Sequence, residues 1–287
     1  MATGLYSKHL KDRKKLYLRN TVLIIILIVL ALISLFPIVY MIAWSFGPAI
    51  EAASTSYSIF PKSWSLDSYK AFIQFNQYSL RWLWNSLVVA VVVVAGNVVF
   101  AGMAGYAFAR IEFPFKNFIF VLLLSVLMVP GQIFLLPQYQ LIQKMGLLNT
   151  IPALFLPNLF SAFGTFLLRQ FFMSMPQELE DAAIVDGCNR FQIFGRIMVP
   201  LIQPGIAALT IFTFKFAWND FMWPLIVNNS MDKLILGPAL STLQGQYTTQ
   251  YPMQMAGAVL AVIPLVVIFF IFQKQFIESV ATSGIKG

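Results

Sequence analysis

The sequence is short of charge, cysteine and histidine, and each shortage excludes a class of function. Only 10% of its 287 residues are charged, 59% are hydrophobic and the mean hydropathy is +0.77, which is far from the composition of soluble globular proteins. The single cysteine, Cys188, excludes an intrachain disulfide. With the single histidine, His9, it is too little for a Cys/His metal site or a histidine-based catalytic triad. These shortages predict a polytopic membrane protein.

The charges that are present lie mainly at the ends of long apolar runs. The net charge is +8, but the basic residues form no amphipathic face with aromatics, so we expect no nucleic-acid binding. Residues 1–20 carry six basic side chains and one acid, which is typical of a cytoplasmic tail. Placing both chain ends inside puts most of the 19 lysines and arginines on the cytoplasmic side.

Six apolar segments are long enough to cross a bilayer. They lie at 21–46, 83–109, 117–143, 150–170, 204–227 and 253–272. The second contains Gly96, Gly102 and Gly105, small residues that favour close packing of membrane helices. The sequence therefore predicts an all-α protein with one membrane domain at 21–273. The remaining parts are a cytoplasmic tail at 1–20, outer loops at 47–82 and 228–252, and an inner tail at 274–287.

Two of these segments carry signals of a solute path. Pro130-Gly131 and Pro137 should break the third, and broken helices at membrane depth are tolerated where they face protein or a watery cavity. The fourth ends at Arg169, and the fifth alone contains charge away from its ends, which usually faces a bundle interior. The candidate path residues are Pro130, Gln132, Lys215, Trp218, Asn219, Asp220 and Phe221. The alternative is that Lys215 snorkels and the others anchor the helix at the outer interface.

Residues 176–204, called the polar loop below, separate the fourth and fifth segments. Pro176 and three carboxylates predict a helix start, and Gly187 predicts its end. Asn189 is the expected N-cap of a second helix, whose continuation Pro200 and Pro204 should prevent. On that helix Phe191, Phe194 and Met198 are expected to share one face.

The polar loop has two interpretations. The small Ala182 and Ala183 would let another surface approach closely, which favours a docking site. The pattern alone also fits an amphipathic connector lying in the membrane interface.

A resemblance favours docking. Glu-Asp-Ala-Ala-Ile-Val-Asp-Gly at 180–187, with Phe191, Ile197 and Pro200 downstream, resembles the cytoplasmic loop of permease subunits of binding-protein-dependent ABC importers. Asp181 stands where many members have Glu, so the acid is kept.

Other segments are similar to the carbohydrate branch of that family, and there to the subunit corresponding to the second permease of the maltose transporter. They are Ala-Gly-Tyr-Ala-Phe-Ala-Arg at 104–110, Met-Val-Pro-Gly-Gln at 128–132, Gly-Leu-Leu-Asn-Thr at 146–150, Trp-Asn-Asp-Phe-Met-Trp-Pro-Leu at 218–225 and the closing Lys286-Gly287.

The resemblance implies a type I ABC importer permease fold with a cytoplasmic coupling helix, in a bacterial or archaeal cytoplasmic membrane. It implies ATP-driven uptake of a sugar or oligosaccharide. The implied partners are a homologous second permease, two ATPase subunits, and an extracytoplasmic solute-binding protein that docks on loops such as 228–252. The residues implied to couple to the ATPase are Glu178, Glu180, Asp181, Ala182, Ala183, Asp186, Gly187, Phe191, Phe194, Ile197 and Pro200.

The chain itself is expected to be neither an enzyme nor a cofactor-binding or metal-binding protein. It has no Gly-x-x-x-x-Gly-Lys-Ser/Thr phosphate loop, so ATP and Mg would be bound by the partner ATPase subunits.

Two alternatives stay open at this point, and a third, an intramembrane enzyme, fails. The solute could be another polar molecule, such as a polyol or glycerol phosphate. A secondary transporter or channel would explain the six segments and the charges of the fifth, but it would not require the polar loop or depend on an ATPase. An intramembrane enzyme lacks a constellation of catalytic residues.

Overall fold

The computed structural model describes residues 2–48, 59–243 and 251–284, and all regular structure in these residues is helical. The chain falls into two compact units. One contains the described residues up to 72 together with 251–259, and the other contains 73–243 together with 260–284. The all-α prediction is confirmed.

The first unit contains one long helix, most of a short one and the beginning of α15 (Tyr251–Gly284). α1 (Ala2–Ser45) includes a stretch, 19–45, that is apolar enough to cross a membrane. Its side chains are exposed from 19 to 40, as suits contact with lipid. The start of α2 (Asp67–Phe75) is tied to the end of α1, because Ser68 Oγ donates to the Gly47 carbonyl at 2.6 Å and Tyr69 OH lies 2.8 Å from Ser45 Oγ.

The second unit is a bundle built from the remaining helices. They are α3 (Ser79–Gly96), α4 (Gly102–Arg110), α5 (Lys116–Ser125), α6 (Leu135–Lys144), α7 (Ile151–Phe155), α8 (Ala162–Met173), α9 (Glu178–Val185), α10 (Arg190–Gln192), α11 (Val199–Leu201), α12 (Gln203–Trp218), α13 (Met222–Val227), α14 (Leu236–Ser241) and the later part of α15 (Tyr251–Gly284). A π-helical turn, Asn97–Ala101, joins α3 to α4, and another, Ile193–Met198, joins α10 to α11.

Five of the six predicted segments agree in position with candidate membrane spans, whereas the span at the fifth begins earlier, at Arg190 inside the polar loop. Within the described part of the chain, 19–45, 79–110 and 251–274 could each cross a membrane as one helix. Three bent pairs complete the set: Lys116–Met128 with Gly131–Lys144 at 99°, Ile151–Asn158 with Ala162–Met173 at 46°, and Arg190–Leu201 with Gln203–Trp218 at 80°. Counting each bent pair as one span gives six.

Two predicted details of the spans are wrong. Pro130 does break the third span, but Pro137 lies in the first turn of α6, where a missing N–H costs no hydrogen bond. The fifth span does not continue to Val227, because α12 ends at Trp218 and α13 begins only at Met222. Between them the chain turns at Asn219 and Asp220.

Close helix packing, predicted from glycines of the second span, is present at two of the three. A Cβ on Gly105 would lie 3.0 Å from the Arg169 amide nitrogen and 3.1 Å from the Thr165 carbonyl oxygen, so α4 and α8 touch backbone to backbone. A Cβ on Gly96 would lie 2.9 Å from the Leu159 carbonyl oxygen. Gly102 has only ordinary neighbours, the nearest at 3.6 Å.

The bundle has two ends, separated by the 32 residues of 79–110, or about 48 Å at the helical rise. The segments predicted outside, around the start of α3 and 228–236, meet at one end, called the outer end below. Those predicted inside, around Arg110 and the polar loop, meet at the other, called the inner end. Which end faces the cytoplasm remains a prediction.

Candidate functional site

The first helix of the polar loop begins and ends as predicted. Glu178, Glu180 and Asp181 occupy the first turn of α9, where carboxylates are favoured by the helix dipole. At the other end Gly187 has a φ of +81°, its N–H donates to the Ile184 carbonyl at 3.0 Å, and the Cys188 N–H donates to the Ala183 carbonyl at 2.9 Å. This is a Schellman motif, which requires a residue that tolerates positive φ.

The second helix of the polar loop starts as predicted but presents a different face. Asn189 is the N-cap of α10 and forms a reciprocal capping box with Gln192. The expectation that Phe191 shares a face with Phe194 and Met198 is wrong, since Phe191 is 76% exposed and Met198 is fully buried. The π-helical turn changes the register, so that Ile193 and Met198, five residues apart, are both buried.

Glu180 is the buried centre of the inner end. Its side chain is 4% exposed, with Oε1 3.1 Å from Arg110 Nε and Oε2 3.4 Å from Arg190 Nη1. Tyr106 OH donates to Oε2 at 3.2 Å. We call these four residues the carboxylate clamp. Two positive charges and a hydroxyl therefore compensate one buried carboxylate, as burial of a charge requires.

Arg110 extends the clamp to α8. Its Nη2 donates to the Phe172 carbonyl at 2.6 Å and to the Met175 carbonyl, both at the C-terminal end of that helix, where free carbonyls favour a cation. The Tyr106 ring packs edge-on against Phe172, with centroids 5.4 Å apart. The clamp thus joins α4, α8 and α9 at one point.

The predicted coupling residues fall into two sets. The exposed ones are Glu178, Asp181, Ala182, Asp186, Gly187, Phe191 and Pro200, and the buried or half-buried ones are Glu180, Ala183, Phe194 and Ile197. Ala183, Phe194 and Ile197 belong to or pack against an apolar cluster with Tyr106, Leu168 and Met198. Only the exposed set can meet another protein, and its coupling role stays a prediction.

Exposed apolar side chains on the polar loop were missed by sequence reasoning. Val185 is 87% exposed, Ile184 45% and Leu179 40%. With the exposed set above they form what we call the docking surface. The available signal was that apolar residues lie on several sides of α9. A helix of eight residues cannot bury all of them on one face, so some must be exposed.

Tyr106 and Arg110 were also missed as members of the site. In the sequence Arg110 is one of the charges that lie at the ends of long apolar runs, just after the second segment. Its place at the end of a long apolar run, with Tyr106 one turn earlier, was the available signal, because a helix end with a cation and a phenol can pair with a carboxylate on another segment.

The predicted path residues of the third span are exposed at its break. Pro130 and Gln132 flank the 99° bend between Lys116–Met128 and Gly131–Lys144. Among the described residues, no hydrogen bond or ring contact joins them to 215–221. The structure therefore does not bring the two predicted groups into one site.

The path residues of the fifth span differ among themselves. Lys215, Asn219 and Phe221 are exposed. Trp218 is buried, stacks on Phe214 with centroids 5.5 Å apart, and donates from Nε1 to the Ala261 carbonyl at 2.9 Å, so it fastens α12 to α15. Asp220 is half-buried and accepts from the Trp223 N–H at 3.4 Å, at the start of α13.

The outer end is held by neutral side chains on backbone groups. Asn85 donates to the Asp232 and Leu234 carbonyls at 3.1 and 2.9 Å, and Trp82 Nε1 donates to the Met231 carbonyl at 2.7 Å. Asn228 donates to the Thr150 and Lys233 carbonyls at 3.2 and 3.1 Å. The start of the predicted outer loop 228–252 is therefore ordered against α3 and α7, while residues 244–250 of that loop lie outside the described residues.

Comparison with known proteins gives a consistent family. Residues 97–281 match the family described as binding-protein-dependent transport system inner membrane component. The chain is 37% identical over 262 residues to the arabinooligosaccharides transport system permease protein AraQ of Halalkalibacterium halodurans, which covers 90% of this chain and 93% of that protein. It is 32% identical to the sn-glycerol-3-phosphate transport system permease protein UgpE of Brucella abortus, over 88% of this chain and 93% of that one.

A solved structure shares the fold. A chain of a bacterial ABC transporter involved in the import of the acidic polysaccharide alginate superposes with a TM-score of 0.80 and 20% identity. The superposition covers 90% of this chain and 96% of that one. At this identity the similarity concerns the fold alone.

Proposed function

This chain belongs to the family of binding-protein-dependent transport system inner membrane components, and we propose that it is the permease subunit of an ATP-driven importer of a sugar or oligosaccharide. The observation that carries the proposal is the 37% identity with an arabinooligosaccharide permease along nearly the whole of both chains. The helices long enough to cross a membrane suit a multi-pass protein of the inner membrane.

Glycerol phosphate is the second candidate solute. The relative named for sn-glycerol 3-phosphate is 32% identical over a similar share of the chain. The higher identity with the arabinooligosaccharide permease favours an uncharged sugar, and direct uptake measurements distinguish the two.

Energy for transport comes from partner subunits in this proposal. The sequence has no phosphate loop, so ATP and Mg are bound by two ATPase subunits. The exposed Val185 and Phe191 support docking, because large apolar side chains are costly to leave in water and are typical of interface cores. A second permease and an extracytoplasmic solute-binding protein complete the assembly.

The carboxylate clamp gives the docking surface a mechanical role. An ATPase subunit that moves α9 also moves α4 and α8, because Glu180 and Arg110 hold all three together through buried contacts. Motion at the inner end is thereby passed to helices that continue toward the middle of the membrane.

The experiment is ATP-driven uptake by the assembled complex in vesicles, with Gly187→Val compared with Gly195→Val. Gly187 has positive φ, which costs a β-branched residue about 1–3 kcal/mol, whereas a Cβ on Gly195 would meet no atom within 4 Å. We expect Gly187→Val to insert normally, to lower uptake about tenfold and to leave ATP hydrolysis in place. Unchanged uptake in Gly187→Val would contradict coupling through the polar loop.

A further inference from the structure

A mostly apolar cavity with a few polar groups in its wall lies about midway between the two ends of the bundle. Its volume is about 290 Å³, and its lining includes Asn97, Ser161 and Thr213 together with the rings of Phe163, Phe212 and Phe216. Asn97 is about 27 Å along the helix axis from Ser79 and about 20 Å from Arg110. These polar groups therefore lie at membrane depth, where they are expensive unless they serve a path or a partner.

Asn97 forms hydrogen bonds with residues at the break in the fourth span. It is 2% exposed, its Nδ2 donates to the Asn158 carbonyl at 2.7 Å, and its Oδ1 accepts from Ser161 Oγ at 2.5 Å. Ser161 in turn caps α8, accepting from the Gly164 N–H at 3.0 Å. The span bends by 46° at this point. Backbone freed from helical hydrogen bonds at membrane depth is tolerated where it lines a cavity.

Thr213 is a buried residue whose hydroxyl has no hydrogen-bond partner among the described residues. It is only 8% exposed, and no described residue hydrogen-bonds its Oγ1. Its Oγ1 is not one of the enclosed side-chain atoms that lack a partner, so the oxygen is reached from the cavity. Its position on the cavity wall leaves it available to a ligand.

The rings of the cavity complement these polar groups. Phe163 and Phe212 meet edge-on, with centroids 5.8 Å apart, and Phe216 is 60% exposed. No charged residue is among the described residues of the lining. A sugar ring has C–H faces that suit aromatic rings and hydroxyl edges that suit amide and hydroxyl groups, whereas a phosphate would find no cation here.

We propose that this cavity, called the mid-membrane site below, binds one ring of an uncharged sugar during its passage. Thr213 Oγ1 hydrogen-bonds a sugar hydroxyl, and Phe212 and Phe216 pack against the ring. The volume is near the lower limit of ligand sites, about 300 Å³, which suits a single ring of an oligosaccharide. The inference rests on the proposed function and adds that this subunit itself contacts the solute.

The first experiment measures water access without any solute. Thr213→Cys and Thr210→Cys are compared in the assembled complex by reaction with the hydrophilic thiol reagent MTSET. Both threonines lie on α12 and are 8% exposed, but Thr210 lines an apolar groove of about 790 Å³ instead. Labelling is counted above that of the unmodified chain, whose one thiol is Cys188. We expect Thr213→Cys to react at least about tenfold faster, because thiolates form in water and not in an apolar groove. Equal, slow reaction of both would overturn the site.

The second experiment measures uptake of radiolabelled arabinotriose and sn-glycerol 3-phosphate in vesicles, with the binding protein saturated. We expect Thr213→Val to slow arabinotriose uptake about threefold to tenfold, the worth of one hydrogen bond, while Thr210→Val stays at the wild-type rate. Phe216→Ala should slow arabinotriose uptake by a similar factor. Phe118→Ala is the control and should leave uptake unchanged, because Phe118 is 62% exposed but does not line the cavity.

The outcomes separate this inference from the proposed function. Wild-type rates in both Thr213→Val and Phe216→Ala would overturn the mid-membrane site while leaving the importer intact. Uptake of glycerol phosphate alone would also overturn it. Uptake of neither solute by the wild type would contradict the proposed sugar importer, and the MTSET result would then still decide whether the cavity is aqueous.

Discussion

The inner and outer ends of the bundle are fastened by opposite kinds of chemistry. At the inner end one buried carboxylate, Glu180, holds α4 and α9 together through Arg110 and Tyr106. At the outer end amide and indole groups of Asn85, Asn228 and Trp82 donate to several backbone carbonyls, and no member of that set is charged. The inner contact is concentrated in one side chain, whereas the outer contact is distributed.

The difference shows at which end a movement of one helix is passed to its neighbours. Removing one partner of a buried ion pair leaves the other charge uncompensated. A contact that depends on one buried carboxylate therefore loses much free energy when that carboxylate is removed. A set of neutral hydrogen bonds loses only one member at a time. The end that carries the docking surface is therefore the end at which neighbouring helices are obliged to move with α9.

The largest expected effect is that of Glu180→Ala. It leaves Arg110 buried without its carboxylate, and we expect a loss of about 3–5 kcal/mol in the free energy of unfolding. Glu178→Ala is the matched control, since Glu178 is an exposed carboxylate two residues away, and its effect should stay within about 0.5 kcal/mol. Denaturation of both variants with SDS in mixed micelles measures the difference. Equal losses in the two variants would show that the inner end does not depend on one buried carboxylate, and its contrast with the outer end would be lost.

Gly105→Ala should come next. The added methyl would lie 3.0 Å from the Arg169 nitrogen and would push α8 away from α4, at a cost of about 1–3 kcal/mol. Gly195→Ala is the control, because its Cβ would have no neighbour within 4 Å. The same unfolding assay decides, and a neutral Gly105→Ala would show that the two backbones are not in contact.

Asn228→Ala probes the outer end and should cost about 1 kcal/mol. It removes two donated hydrogen bonds, but it also removes a buried Oδ1 that has no partner among the described residues. Asn229→Ala, at an exposed neighbouring position, should be neutral. A loss at Asn228 as large as that at Glu180 would contradict the idea of a distributed contact.

The smallest effect is expected for Tyr106→Phe, about 0.5–1 kcal/mol. It removes only the 3.2 Å hydrogen bond to Glu180 and keeps the ring packed on Phe172 and Phe194, while the two arginines still compensate the carboxylate. The measurement is the temperature at which uptake is lost, which should fall less in Tyr106→Phe than in Glu180→Ala. An effect equal to Glu180→Ala would mean that the hydroxyl, and not Arg110, holds α9.

The fold was predictable where it depends on composition and local backbone chemistry. Long apolar runs located the six spans, and the positive φ required at Gly187 and the N-cap at Asn189 located the helices of the polar loop. Pro137 shows the limit, because the cost of a proline depends on its distance from the helix start, and the sequence alone did not place that start correctly.

The candidate site was predictable only in part, because burial depends on contacts between distant segments. Glu178 and Glu180 have the same chemistry in the sequence, yet one is exposed and the other is enclosed by groups from α4. Phe191 was assigned to the wrong face because a π-helical turn changes the period on which such assignments rest. Thr213 has no sequence signal at all, since a threonine in an apolar helix is ordinary until its neighbours are known.

The central claim, that the docking surface contacts an ATPase subunit, is tested most directly by photocrosslinking in the assembled complex. A benzoylphenylalanine is placed at Phe191, which is 76% exposed on the polar loop, or at Phe118, which is 62% exposed within the third span. The account predicts a crosslink to the ATPase subunit from position 191 and none from position 118. Absence of that crosslink at 191, in a complex that still hydrolyses ATP and imports solute, would contradict it.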